Sequence, residues 1–221
     1  MNALPLFPLN TVLFPSVTLN LHIFEDRYKQ MIARCIAADQ PFGVLLIREG
    51  VEVGGPAVPV EIGTTAAIVS VDKLSDGRMN LVVAGRQRFR LLEITQKLPY
   101  LVGRVEFVPQ PVNASGSVQN GIASVRRLYA AYIQARAAIG EESPLPELPP
   151  DPVSMANAIA ATLRVSNSIK QALLEAPFVE QMLLREAGLL HKETARLKLR
   201  AELGKQNERA EKAKIGPFSM N

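Results

Sequence analysis

Val17-Thr18-Leu19-Asn20-Leu21-His22-Ile23 runs directly into Phe24-Glu25-Asp26-Arg27-Tyr28-Lys29-Gln30-Met31-Ile32-Ala33-Arg34-Cys35-Ile36, and the hydrophobic period changes within two residues of the junction. In the first stretch Val17, Leu19, Leu21 and Ile23 alternate with Thr18, Asn20 and His22, the spacing of a strand with one buried face. In the second, Tyr28, Met31, Ile32, Cys35 and Ile36 recur at i, i+3, i+4, i+7 and i+8, one stripe of an amphipathic helix. Glu25 and Asp26 favour the positive N-terminal end of that helix, and Pro41 sets its limit. A strand passing into a helix without a linker places both in one α+β unit.

Working outward, Leu4 to Phe14 carries Pro5 and Pro8 and predicts an extended segment with its prolines on an edge. Phe42 to Ile47 reads as a buried strand. Gly50 to Gly63 holds four glycines and two prolines and predicts a mobile loop. Thr65 to Lys73 and Met79 to Ala84 flank Asp76-Gly77, which supplies the positive φ of a hairpin turn. Arg88 to Thr95 and Leu101 to Val108 add two strands. Beyond the Pro109 to Ser117 linker no strand pattern recurs. Val118 to Ile139 marks a long helix, Gly140 to Pro150 a breaker, and Asp151-Pro152 a helix start with Met155, Ile159, Ala160 and Leu163 on its stripe. Ser166 to Glu175 predicts a short helix halted by Pro177, and Phe178 opens a last long one. The expected division is a β-rich unit over 1–112, an all-helical unit over 118–203, and a basic, mobile tail over 204–221. Gly204 breaks the helical pattern there, and Ile215, Phe218 and Met220 are the only apolar residues larger than Ala beyond Leu203.

The 221 residues are 48% hydrophobic and 21% charged, which excludes a disordered chain, and 5% aromatic with no Trp, which disfavours a stacking platform for nucleic-acid bases. Two histidines, His22 and His191, and one cysteine, Cys35, do not suffice for a zinc or disulfide framework, so no metal and no cofactor are expected, and a reduced, cytoplasmic compartment fits. The uncharged residues 1–24 are interrupted by Pro5, Pro8 and Pro15 and lack a basic n-region, so neither a membrane span nor an export signal is expected. The formal charge of +4 lies in one place: His191 to Lys214 holds eight basic and four acidic residues, and the remainder is balanced. The interspersed signs suit a solvated helix laced with i,i+4 pairs.

Catalytic signatures are weak. There is no G-x-S-x-G elbow, and the best approach to a phosphate loop, Gly50 to Gly55, is followed by Pro56 where a Lys is needed. His22 suits the solvent face of its strand. Ser166 or Ser168 with Lys170 suggests a dyad, but Ser at a helix start is a cap and Lys170 reads as solvated. Cys35 on the apolar stripe reads as a small buried hydrophobe. Arg86, Arg88 and Arg90 at i, i+2, i+4 share a strand face, as an anion site or as an exposed face ion-paired with Glu25 or Asp76.

Leu4-Pro5-Leu6-Phe7-Pro8-Leu9, Val12-Leu13-Phe14-Pro15 and Leu21-His22-Ile23-Phe24-Glu25-Asp26-Arg27-Tyr28, followed by Phe42-Gly43-Val44, Gly63-Thr64, Asp76-Gly77-Arg78 and Gly85-Arg86-Gln87-Arg88-Phe89, resemble the signature of the Lon protease N-terminal domain. The resemblance runs from about Leu4 to about Leu190. Asn10 and Ser16 stand where many relatives carry Gly, and Asp26 where they carry Pro. The resemblance implies a PUA-like β-barrel or pseudobarrel followed by a helical bundle, without the ATPase and Ser-Lys peptidase of Lon itself. It implies a non-enzymatic substrate-recognition or adaptor module for unfolded or apolar polypeptide segments, or for a protease or chaperone partner, with the tail a candidate for self-association. Expected peptide-binding residues are Leu6, Phe7, Phe14, Phe24, Glu25, Arg27, Tyr28, Arg86 and Arg88, in a cleft at the seam of the two halves with Arg86 or Arg88 at its rim. The rival functions are an RNA-binding PUA-like protein, recognised by a salt-dependent affinity for RNA, and a residual hydrolase active without ATP.

Overall fold

Eight residues of alternating or near-continuous apolar character, Asn2–Leu9, form strand β1. The computed structural model describes residues 2–112, 116–141 and 147–214. Asn113 and Ser115 of the expected linker, residues 142–146 of the expected breaker, and Ile215, Phe218 and Met220 of the tail lie outside the described residues. β2 (Thr18–Ile23) passes into α1 (Asp26–Ala37), as the change of period requires. β3 (Phe42–Gly50), β4 (Ala57–Pro59), β5 (Ile62–Lys73), β6 (Met79–Gln96) and β7 (Leu101–Phe107) complete an N-terminal sheet with one embedded helix, and α2 (Gly116–Ala137), α3 (Pro152–Thr162), α4 (Asn167–Leu174) and α5 (Val179–Lys214) follow.

The sheet runs β1-β7-β6-β5-β3-β4, with β2 on β6 and a further parallel pairing of β1 with β3. β1 is therefore not an edge strand. Its first half pairs with β7, Pro5 opposite Val102, and its second half with β3, Pro8 opposite Leu45. Each proline thus stands where the strand has one neighbour, and its missing N–H costs no ladder bond if it faces the unpaired side. The expected strands at 79–84 and 88–95 are one strand, β6, bent by an irregularity where Ala66 faces Gly85 and Thr64 faces Arg88. Two residues, Arg86 and Gln87, stand there opposite Thr65 alone. That shift breaks the alternation between Arg86, exposed, and Arg88, buried at 4% exposure, whereas Arg88 and Arg90 stay in register on one face, where Arg90 reaches solvent. The three arginines do not share a face.

Two compact units emerge, Met1–Asn113 with Leu148–Met182, and Ala114–Glu147 with Leu183–Asn221. This grouping differs from the expected division into 1–112 and 118–203 in placing 148–182 with the sheet. Polar contacts bind α4 and the residues after it to the sheet, and Lys170 of α4 donates in turn to Ala161 O of α3. Arg88 donates to the carbonyls of Leu174 and Ala176, Gln171 donates to Ile62 O, and Asn167 donates to Asn10 O. The linker is also bound in: Pro109 O accepts from Arg88, and Pro111 O accepts from the Val179 N–H.

In the first unit α1 buries Tyr28, Met31, Ile32 and Cys35 against Phe7, Phe42, Leu81 and Val83, an aliphatic and phenyl core. Ile36, counted on the same stripe, is 43% exposed. Asp151 caps α3 by accepting the Ser154 N–H at 2.9 Å, with Pro152 at its first position. In the second unit α2 buries Val125, Tyr129, Tyr132 and Ile133, and α5 buries Leu190 and Leu197. α5 continues through Gly204 to Lys214, so Gly204 does not end the helix.

Candidate functional site

A cleft of about 420 Å³ opens within the first unit. Its floor is Phe7, Leu9, Ile23 and Tyr28, with the Phe7 and Tyr28 rings 4.0 Å apart. One wall is β2 from Leu19 to Ile23; the other is Asn10 and Thr11 after β1, with Glu52 and Val53 after β3. Phe24, 44% exposed, and Val53, 55% exposed, form an apolar rim. The residues that switch from strand to helix are thus the ones that shape the cleft. β2 delivers Leu21 and Ile23, and the turn into α1 delivers Phe24 and Glu25.

The loop expected to be mobile is tied to the start of α1. Arg27 donates to Gly55 O (3.3 Å) and Glu52 O (3.5 Å), pairs with Glu25 at 2.9 Å, and lies 4.5 Å from the centre of the Tyr28 ring. Glu25 precedes the helix but makes no cap with its side chain; its carboxylate accepts the Gly54 N–H at 3.2 Å instead. Glu52 accepts the Asn10 N–H at 2.9 Å. Burial holds the Tyr28 phenol above its ordinary pKa, against the opposing pull of Arg27.

Of the residues expected to bind peptide, the structure brings Phe7, Phe24, Glu25 and Tyr28 into the cleft and places Arg27 behind them as the tie to the loop. Leu6 and Phe14 are fully buried and take no part in a surface. Arg88 is spent inside the unit, donating to Leu174 O (2.6 Å), Ala176 O (2.7 Å) and Pro109 O (2.8 Å). Arg86 and Arg88 line a different cavity, about 240 Å³, with Pro15, Phe107 and Val153, so neither stands at the rim of the main cleft. Asp76 pairs with Arg78 and Glu25 with Arg27, not with the β6 arginines. Leu19 and Leu21 were legible as the inward face of β2. Glu52 and Val53 carried no signal, because the fold of their loop depends on Arg27, 25 residues away from Glu52 in the chain.

The catalytic candidates take structural roles. His22 Nδ1 lies 2.7 Å from Asn80 Oδ1 on the exposed strand face. Lys170 is half-buried rather than solvated: it donates to Ala161 O at 2.9 Å, and burial lowers its pKa. The Ser166 hydroxyl meets Ser168 and the Ile169 N–H. Burial pushes the Cys35 thiol up to about 11, so it is not a thiolate at neutral pH. Among the described residues there is no group of three His, Cys, Asp or Glu able to hold a metal, and no helix long and apolar enough to cross a membrane.

The fold defines the class first. A β-sheet unit with an embedded helix followed by helices is the arrangement of solved Lon N-terminal domains. The structure superposes on a Lon N-terminal domain protein from Xanthomonas campestris with a TM-score of 0.61 and 25% identity, covering 84% of this chain and 96% of that one. On the N-terminal domain of a Mycobacterium avium complex Lon protease the TM-score is 0.66 at 18% identity, covering 86% and 98%. The family model of the ATP-dependent protease La (LON) substrate-binding domain matches residues 3–192, and the chain belongs to that family. It is 30% identical over 200 residues to Lon protease 2 of Myxococcus xanthus, and 27% identical over 194 residues to the Lon protease of Syntrophus aciditrophicus. These alignments cover 89% and 85% of the chain but 24% of each relative, so the chain spans about a quarter of the length of the curated relatives it matches.

Proposed function

We propose that this chain is a non-enzymatic recognition module that holds unfolded or apolar polypeptide segments in the cleft between β2, α1 and the loop after β3, as an adaptor for a protease or chaperone partner in the cytoplasm. The observation that carries the reading is the convergence of Phe7, Leu19, Leu21, Ile23, Phe24, Tyr28 and Val53 on one open cavity, inside the stretch the family model covers. Exposed Phe24 and Val53 add an apolar rim that water would otherwise solvate at a cost. The pairing of β1 with both β7 and β3 supports a PUA-like pseudobarrel, since it returns the strand order upon itself.

The test is an NMR titration of the full chain with a permanently unfolded, reduced and alkylated protein. Amide shifts are expected at Leu9 to Thr11, Leu19 to Tyr28 and Glu52 to Val53, with an affinity on the order of micromolar because the client is ordered on binding. No shift at large excess of client, together with salt-sensitive shifts on adding RNA, would overturn the proposal in favour of nucleic acid.

A further inference from the structure

Leu19, Asn20, Leu21, His22 and Ile23, five consecutive residues of β2, all line the cleft. A cavity resting on one face of a strand meets alternate residues, whereas one that meets each residue in turn runs along the strand's edge. The pairing agrees. β2 bonds to β6 alone, in register from Thr18 opposite Ala84 to Ile23 opposite Met79, so its other edge carries no strand among the described residues.

The ladder also says which residues serve that edge. The Gly85 N–H donates to Val17 O at 2.8 Å and the Gly85 carbonyl accepts from the Ser16 N–H at 2.9 Å, so Val17 holds a hydrogen-bonding position of the ladder, bulged at Ser16. Pairs alternate in an antiparallel ladder, so Leu19, Leu21 and Ile23 bond toward β6, and the main-chain N–H and C=O of Thr18, Asn20 and His22 point to the other edge, which at Asn20 and His22 borders the cleft. Soluble proteins guard such edges with charge, proline or bulges. Thr18, Asn20 and His22 include no proline, lysine, arginine or carboxylate.

The charge of the cleft selects its occupant further. Among the described residues, Glu25 and Glu52 are the acidic members of the lining, and no lysine or arginine lines it. Glu25 is neutralised by Arg27, while Glu52 accepts from the uncharged Asn10 N–H.

We propose that β2 takes up its client by strand addition. An extended segment of about six residues, matching the length of β2, pairs its backbone with Thr18, Asn20 and His22. Its alternate apolar side chains pack on Leu19 and Leu21, and one Lys or Arg sits beside Glu52. This inference rests on the cleft being the polypeptide site and adds its mode and its sequence preference.

The test uses the full chain and a capped octapeptide alternating valine with serine around one central lysine. Binding is expected to slow amide hydrogen exchange at least tenfold at Thr18, Asn20 and His22, and to leave Leu19, Leu21 and Ile23, already bonded to β6, unchanged. The same peptide N-methylated at alternate residues is expected to bind more than tenfold more weakly. Asn20→Pro, which removes an edge N–H but no ladder bond, is expected to do the same with its melting temperature little changed. Norleucine in place of the lysine is expected to weaken binding about fivefold, and Glu52→Gln to erase the difference between the two peptides. Shifts at Phe24 and Val53 without slowed exchange, or equal binding of the N-methylated peptide, would overturn strand addition while leaving the cleft as the site. Equal binding of the lysine and norleucine peptides would overturn the basic preference. Absence of any perturbation at the cleft with peptide or unfolded protein would overturn the proposed function itself.

Discussion

The first unit buries a guanidinium and the second buries a carboxyl, and the two are treated in opposite ways. Arg88 in β6 gives hydrogen bonds to three main-chain carbonyls, Leu174, Ala176 and Pro109, from segments remote in sequence. Burial lowers its pKa, but a guanidinium starts so high that it stays charged. Glu186 in α5 is wholly buried with neither carboxylate oxygen partnered among the described residues, and burial raises its pKa well above the ordinary range. Burial thus favours its neutral form. The difference teaches that a buried ionisable group binds a fold together only when it is supplied with partners; otherwise it gives up its charge and subtracts from stability.

The largest expected effect breaks the first half of that contrast. Arg88→Ala strands three acceptors and is expected to destabilise the first unit by about 3 kcal/mol in urea denaturation. Arg88→Lys is expected to recover less than half, because an ammonium lacks the planar fork. A loss under about 1 kcal/mol would show that the carbonyls find other donors.

Glu186 is expected to move the other way, since replacing an unpartnered buried acid with Leu should stabilise by about 1 kcal/mol at pH 7. The pH dependence has a definite sign. Below the ordinary value of 4.5 the group is protonated folded and unfolded. As pH rises past it, the unfolded chain ionises while the folded one keeps its proton, so stability falls until the pH passes the raised folded pKa. Melting temperatures of Glu186→Gln measured from pH 4 to pH 8 should lack that decline.

A surface carboxylate on a backbone donor sharpens the comparison. Asp151→Ala removes the cap on the Ser154 N–H and is expected to cost about 1 kcal/mol, less than Arg88→Ala because solvent can replace the bond. The smallest effect involves no charge. Ser16 lies in the left-handed region at φ 62°, within a bulge where the Ser16 N–H donates to Gly85 O and the Gly85 N–H to Val17 O. Ser16→Gly is expected to stabilise by about 0.5 kcal/mol, read as a rise in melting temperature. A fall would mean that the Ser16 hydroxyl contact with Ser154 outweighs the backbone strain.

Much of the local structure was legible. The change from period 2 to period 3.6 at Phe24 placed β2 and α1, Asp151-Pro152 placed the start of α3, and Cys35 proved as buried as its stripe implied. Four of the fourteen residues lining the cleft were legible too: Phe24, Glu25 and Tyr28 at the junction of β2 and α1, and Phe7 in β1. Leu6 and Phe14 were misplaced because an apolar side chain next to a site and one lining it look alike in one dimension. Glu52 and Val53 escaped because a glycine-rich loop has no period of its own and takes its shape here from Arg27 and Glu25.

The amino-acid sequence by itself determined the element types, the family signature and the absence of a phosphate-binding loop, because periodicity, capping and motif spacing act over a few residues along the chain. Only the tertiary structure decided that Arg88 turns inward while Arg86 stays out, that α3 and α4 group with the sheet, and that β2 has one edge without a strand partner among the described residues. Each of these depends on which distant segment comes to lie alongside. A bulge opposite Thr65, a row of carbonyls at the end of α4 and a missing neighbour for β2 are properties of pairs of segments, and neither member of a pair carries them alone.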